Sequence, residues 1–189
     1  MPQIYALLGR KRSGKDTTTF ILKQHLNGTT TEFSFAEPLK KSLENLLGVE
    51  RYHFHDQTKK EELLPQFNHT PRALMQWYGQ MIKEKLGGDF WINQLRNKIQ
   101  KCPSDYVIVT DCRTTDEVKM LLEFDNTVVV FLTRNNDSND TDISETSVDE
   151  ALRWMQANIR DSEKAKYIIN NSHSVKILEE TIVKVVLNK

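Results

Sequence analysis

The chain has 189 residues, enough for one domain with a full core, and its 26 Lys and Arg balance its 26 Asp and Glu. A balanced charge excludes the broad basic footprint of a nucleic-acid or anionic-membrane binder, so any anion must be held locally and neither partner is expected. Cys102 and Cys112 are too few for a disulfide framework or a four-ligand zinc site, no apolar run reaches the roughly 18 residues that span a bilayer, and Met1-Pro2-Gln3 lacks the regions of a signal peptide, which together predict a cytoplasmic protein.

Short apolar β-type runs alternate with helix-period segments, the pattern of an α/β protein whose parallel sheet is covered by helices. Ile4 to Leu8 reads as the first buried strand, and Thr18, Leu22 and Leu26 give the following helix an apolar stripe. Phe33 to Phe35 is a short second strand, after which Pro38 suits the first turn of a helix carrying Leu39, Leu43, Leu46 and Leu47. Thr70-Pro71 opens a helix with Leu74, Tyr78, Ile82 and Leu86 at four-residue intervals; Gly87-Gly88 stops it, and Asp89 caps another with Trp91, Leu95 and Ile99. Tyr106 to Thr110 is a nearly unbroken apolar strand ending in Asp111, and Thr114 with Glu117 has capping-box spacing. Thr127 to Leu132 is the fourth strand. From Asn135 to Glu150 the chain carries six acids and no Lys or Arg, which predicts a mobile loop, before Ser147 and Glu150 cap a helix through Ile159. Tyr167 to Ile169 makes the fifth strand, and Val175, Leu178, Ile182 and Val185 supply a terminal helix. The expected organisation is a single domain over 1–189, with a helical insertion at about 38–101 and a lid at about 134–150.

Gly9-Arg10-Lys11-Arg12-Ser13-Gly14-Lys15 has the G-x-x-x-x-G-K spacing of a phosphate-binding loop, set between strand and helix as that motif requires. Glycines let the backbone wrap phosphates closely, amides at the helix start point at their oxygens, and Lys15 reaches the transferable group. The Ser or Thr that usually follows the lysine is replaced by Asp16, with Thr17 displaced by one position; Asp16 is a metal or acceptor contact, or a first-turn acid stabilised by the helix dipole. Arg10, Lys11, Arg12 and Ser13 fall inside the cradle, although the three cations also read as a solvated basic cluster. Asp111 lies where a strand meets its carboxyl-terminal loop, the edge at which open α/β sheets bind ligands, and is a candidate Mg²⁺ contact with Asp16 and Thr17. Arg113 either pairs with Asp111 or neutralises phosphate. Arg134, Arg153 and Arg160 flank the acidic segment, and Arg134, at a central strand end, is the favoured catalytic cation. Asn170 and Asn171 follow the fifth strand, where both also read as turn formers. The five histidines show no metal-ligand spacing.

With that loop, Phe35-Ala36-Glu37-Pro38-Leu39-Lys40, Asp111-Cys112-Arg113 and Ser144-Glu145 in view, the chain resembles the deoxynucleoside monophosphate kinases of bacteriophages and large DNA viruses over nearly its whole length. The Lys15-Asp16-Thr17 ending is more specific than an ordinary phosphate loop. The resemblance implies ATP with Mg²⁺, a nucleoside monophosphate acceptor, and a three-layer kinase fold with strand order 2-3-1-4-5. It implies that Glu37 and Lys40 border the acceptor, that Arg72 and Gln76 face its phosphate and base from one helical face, that Glu145 belongs to the lid, and that Asn170 borders the adenine. Trp91 is a further acceptor contact if it stacks on a base, although aromatics at helical spacing usually fill a core. The lid departs from the family at Asp142-Ile143, where a His commonly precedes Ser-Glu.

Phosphomevalonate kinase of animals shares the Lys-Asp loop and Asp-x-Arg, while Thr70-Pro71-Arg72 with Gln76 is more like the nucleotide enzymes. A GTPase switch is disfavoured because Asn97-Lys98 continues as Ile99-Gln100 without the aspartate that reads guanine; a nucleic-acid ATPase is disfavoured by the neutral charge and the lack of a paired Asp-Glu at Asp111. A homodimer is compatible with all of these features.

Overall fold

The computed structural model describes residues 1–134, 143–159 and 166–188, and these form two compact units, Met1–Ser34 with Arg96–Lys189, and Phe35–Leu95. In the first unit, strands β1 (Gln3–Gly9), β2 (Thr30–Phe33), β3 (Tyr106–Cys112), β4 (Thr127–Thr133) and β5 (Lys166–Asn170) make one sheet, all parallel, in the order β2-β3-β1-β4-β5. This is the expected α/β order. After Gln3, central β1 is apolar because both of its faces are covered: Ile4, Ala6, Leu7 and Leu8 are fully buried. Alternation sends Tyr5 and Leu7 to the face where helices α1 (Lys15–His25) and α8 (Val175–Thr181) bring Ile21, Leu22 and Leu178. On the other face, α6 (Thr115–Leu122) packs against β1, β4 and α7 (Ile143–Asn158).

The second unit contains α2 (Glu37–Leu47), α3 (Tyr52–His55), a 3₁₀ turn at Lys59–Glu61 and α4 (Pro71–Leu86); α5 (Phe90–Gln100) follows. Thr70 caps α4 by accepting from the Ala73 N–H at 3.2 Å, and Pro71 presets its first turn. No helix among the described residues is long and apolar enough to cross a membrane.

Several boundaries differ from the periodicity reading. β2 runs over Thr30–Phe33 instead of Phe33–Phe35, so it starts three residues earlier and ends two earlier than expected; Ser34, just past it, donates its hydroxyl to Asp111, and α2 starts at Glu37. α7 begins at Ile143, ahead of the expected Ser147 cap, so the acidic stretch is helical from there on; the rest of the expected lid, 135–142, lies outside the described residues. The terminal helix changes to π geometry over Ile182–Val186, closed by the Leu187 N–H on the Ile182 carbonyl at 3.0 Å. The capping box at α6 is as expected, with Glu117 accepting from the Thr114 N–H at 3.0 Å and Thr114 from the Glu117 N–H at 3.3 Å.

Candidate active site

The loop between β1 and α1 is held from both ends. Gly14 precedes α1 at φ 104°, a left-handed conformation that favours glycine, and Arg12 is also left-handed at φ 65°. A turn closes from the Ser13 N–H to the Arg10 carbonyl at 3.2 Å, and α1 starts with Thr18 N–H on the Gly14 carbonyl at 2.9 Å. Ser13 is buried. Its carbonyl accepts from the Asn171 carboxamide at 2.9 Å, and the Asn171 N–H donates to Thr133 at 2.8 Å, so the loop after β5 braces the loop after β1. Asn170 Oδ1 accepts from the backbone N–H and hydroxyl of Ser172 and shapes the same turn.

Lys15 folds over this loop, donating Nζ to the Gly9 carbonyl at 2.6 Å and to the Arg10 carbonyl at 2.7 Å. The ammonium is thereby kept above the cradle. Arg10 instead forks onto α7, with Nε 3.2 Å from Asp149 Oδ1 and Nη2 2.5 Å from Oδ2. Lys11 is half-buried and Arg12 exposed. Arg134 follows β4, exposed, with Nη1 3.4 Å from the Arg12 carbonyl, so a second cation borders the loop. Arg153 donates to the Asp149 carbonyl within its own helix, while Arg160 lies outside the described residues, as does the side chain of Glu145.

Asp16 is exposed and Thr17 half-buried in the first turn of α1. Asp111 is the penultimate residue of β3, which runs on to Cys112, and it accepts from the Ser34 hydroxyl at 2.8 Å, which orients its carboxylate. The Arg113 backbone N–H is tied to Glu117 at 2.7 Å. Between them Cys112 is fully buried; burial first, then the Glu117 and Asp111 charges, push its thiol well above the ordinary value. A groove of about 520 Å³ runs beside Asp16, lined by Thr19, Phe20, Lys23, Glu32 and Thr110. A larger cavity of about 650 Å³ lies by Gln3, Tyr106 and Asn126 at the amino ends of the strands, the edge opposite to the one where open α/β sheets bind ligands.

Within the second unit, Glu37 starts α2 and pairs with Arg51 at 2.8 Å, with His55 3.7 Å away. Burial opposes ionisation of Glu37, yet the Arg51 hydrogen bond and charge outweigh it and hold the carboxyl below its ordinary value. Burial first, then Lys40 and Arg51, lower the pKa of His55 against the opposing pull of Glu37 and of Glu44, which lies 3.2 Å away. Arg72 lies in the first turn of α4, on Glu61; Gln76 is exposed one turn on. Trp91 is buried and donates its indole N–H to the Gly79 carbonyl at 3.2 Å, a packed position. Among the described residues no group of three His, Cys, Asp or Glu side chains could hold a metal ion.

A phosphate loop followed by an Asp-x-Arg strand end is the frame of many kinases, and comparison with families narrows it: the family model for deoxynucleotide monophosphate kinase matches residues 48–182. The chain belongs to the deoxynucleotide monophosphate kinase family. As a member of that family it is a kinase, and its substrate is a small-molecule nucleotide. No curated protein matches the chain. Among solved structures this kinase is similar to shikimate kinase from Acinetobacter baumannii in complex with shikimate, at 15% identity, 100% of this chain, 94% of that chain and a TM-score of 0.45. It is also similar to dephospho-CoA kinase from Campylobacter jejuni, at 16% identity, 99% and 97% coverage and a TM-score of 0.43. Both are too distant to assign a residue.

Proposed function

We propose that this kinase transfers the γ-phosphoryl group of ATP to the phosphate of a deoxynucleoside monophosphate in the cytoplasm, without nucleic acid or membrane as partner. The observation that carries the reading is the braced loop of residues 9–15 with the Lys15 ammonium fixed over it. A phosphoryl group in transit needs alignment and charge neutralisation more than covalent help. The loop and the first turn of α1 supply amides and a positive dipole end for the triphosphate. Lys15 and Arg134 offset charge on the moving group, with Arg113 beside the strand end. Arg72 holds the acceptor phosphate, Gln76 reads a base edge, and Glu37 and Lys40 border the acceptor. The acceptor phosphate is itself a nucleophile near neutral pH, so no strong general base is needed at Asp16.

Mg²⁺ takes few protein ligands when phosphates supply the rest, so one or two oxygen donors suffice and a three-residue cluster is not required. Asp111, with a carboxylate oriented by Ser34, fits that demand at the carboxyl edge of the sheet, together with Asp16 and Thr17 on α1. Held there, the ion would offset charge on the phosphates.

The decisive experiment measures ADP release from ATP and Mg²⁺ with each deoxynucleoside monophosphate, its ribonucleotide counterpart and phosphomevalonate. Deoxynucleotide-dependent release is expected, falling at least about a hundredfold in Lys15→Ala. Release only with phosphomevalonate, or an unaltered rate in Lys15→Ala, would overturn the reading.

A further inference from the structure

Arg72 is an odd residue for the place it occupies. It is the second residue of α4, where the helix dipole is positive and a cation is disfavoured, so it contributes nothing favourable to the helix itself. The same position suits an anion, because dipole and guanidinium then attract it together. Its geometry is constrained from one side: Nε donates to Glu61 Oε1 at 2.7 Å, and Nη2 stands 2.7 Å from the same oxygen. A guanidinium carries five N–H donors in one plane. Glu61 occupies the side edge, which leaves the end of the fork, Nη1 and the outer hydrogen of Nη2, directed away from the carboxylate.

Glu61 is exposed, yet it springs from an ordered turn. It closes the 3₁₀ turn Lys59–Glu61, with its N–H on the Thr58 carbonyl at 3.0 Å. That turn is nucleated by Asp56, whose Oδ1 accepts from the Thr58 and Lys59 N–H groups at 2.8 and 2.9 Å. On the other side, the Thr70 cap and Pro71 fix the backbone from which Arg72 springs. The backbone beneath both partners is therefore fixed locally, and the carboxylate–guanidinium contact itself aligns the two side chains.

We propose that Glu61 is a positioning residue, which turns the Arg72 guanidinium so that the end of its fork receives the phosphate of the acceptor nucleotide. The assignment rests on the reading of Arg72 above and adds to it the element that orients it. Bound at the side edge, the carboxylate keeps the guanidinium between itself and the incoming phosphate, so orientation is gained without direct repulsion.

The test uses the full chain, with steady-state kinetics at saturating ATP and varied deoxynucleoside monophosphate. Glu61→Ala raises the acceptor KM on the order of tenfold while the KM for ATP stays within about twofold. Glu61→Gln, which keeps an acceptor oxygen for the guanidinium, recovers most of the loss. In an Arg72→Ala background Glu61→Ala has no further effect, since nothing remains to orient, and thermal unfolding of each variant checks that the fold is intact. An acceptor KM that is unchanged or lower in Glu61→Ala, the result of freeing Arg72 from a competing carboxylate, overturns the proposal, as does additivity with Arg72→Ala. Those outcomes leave the role of Arg72 standing; only an Arg72→Ala enzyme with a normal acceptor KM, or a wild-type enzyme inert to every deoxynucleoside monophosphate, removes the reading beneath it as well.

Discussion

Gly14→Ala tests whether the cradle depends on the brace from Asn171. A Cβ at position 14 would fall 2.1 Å from Asn171 Nδ2, far inside contact distance, while the backbone stays at φ 104°. Holding a non-glycine residue in the left-handed region costs about 1–2 kcal/mol. Expelling the carboxamide breaks its 2.9 Å bond to the Ser13 carbonyl and leaves buried polar groups unpaired, about 1–3 kcal/mol more. The total, roughly 2–5 kcal/mol, is a large part of the 5–15 kcal/mol that stabilises a typical domain. At about 2–4 °C per kcal/mol for a chain of this size, the expected fall in Tm is roughly 4–20 °C, with loss of ATP binding. Circular dichroism melts and titration with a non-hydrolysable ATP analogue measure both. Because the clash needs the carboxamide, Asn171→Ala forfeits only the hydrogen bond, and the double variant is less destabilised than the sum of the singles. A Gly14→Ala protein with wild-type Tm and affinity, or strict additivity in the double variant, would refute this account of the loop.

Cysteine chemistry gives a second check: a thiol reagent at pH 8 is expected to modify half-buried Cys102 in the native protein and Cys112 only after denaturation, because burial and two nearby carboxylates keep the Cys112 thiol protonated. Native labelling of both would contradict the described packing. Asp105 gives a third. The backbone N–H and then the hydroxyl of Thr29 hold its carboxyl below the ordinary value, so its contribution is present above the unfolded pKa and is lost as pH falls through the lower folded one. Asp105→Asn should therefore flatten the decline of Tm below about pH 4, and superimposable Tm curves for the two proteins would rule the linkage out.

Local signals carried much of the fold. The apolar runs of β1, β3 and β4, the capping box at Thr114 and Glu117, and the Thr70-Pro71 helix start all depend on neighbours within one or two turns, so periodicity was enough to find them. Where the end of an element depends on a distant partner, periodicity failed: β2 stops short because Ser34 turns to Asp111, 77 residues away. The short helix at Tyr52–His55 and the turn at Lys59–Glu61 escaped notice because neither is long enough to show a period.

That a phosphate loop joins the first strand to the first helix, and that the chain is an α/β kinase-like protein, is legible along the chain, because glycine spacing and strand composition are properties of contiguous residues. Which ordinary side chains serve that loop depends on the folded chain. Asn171 reaches Ser13 across 158 positions and Asp149 reaches Arg10 across 139, and asparagine or aspartate at those sites carries no local mark. A parallel sheet gathers the loops after its strands at one edge, and it is strand order, a non-local property, that chooses which of them meet.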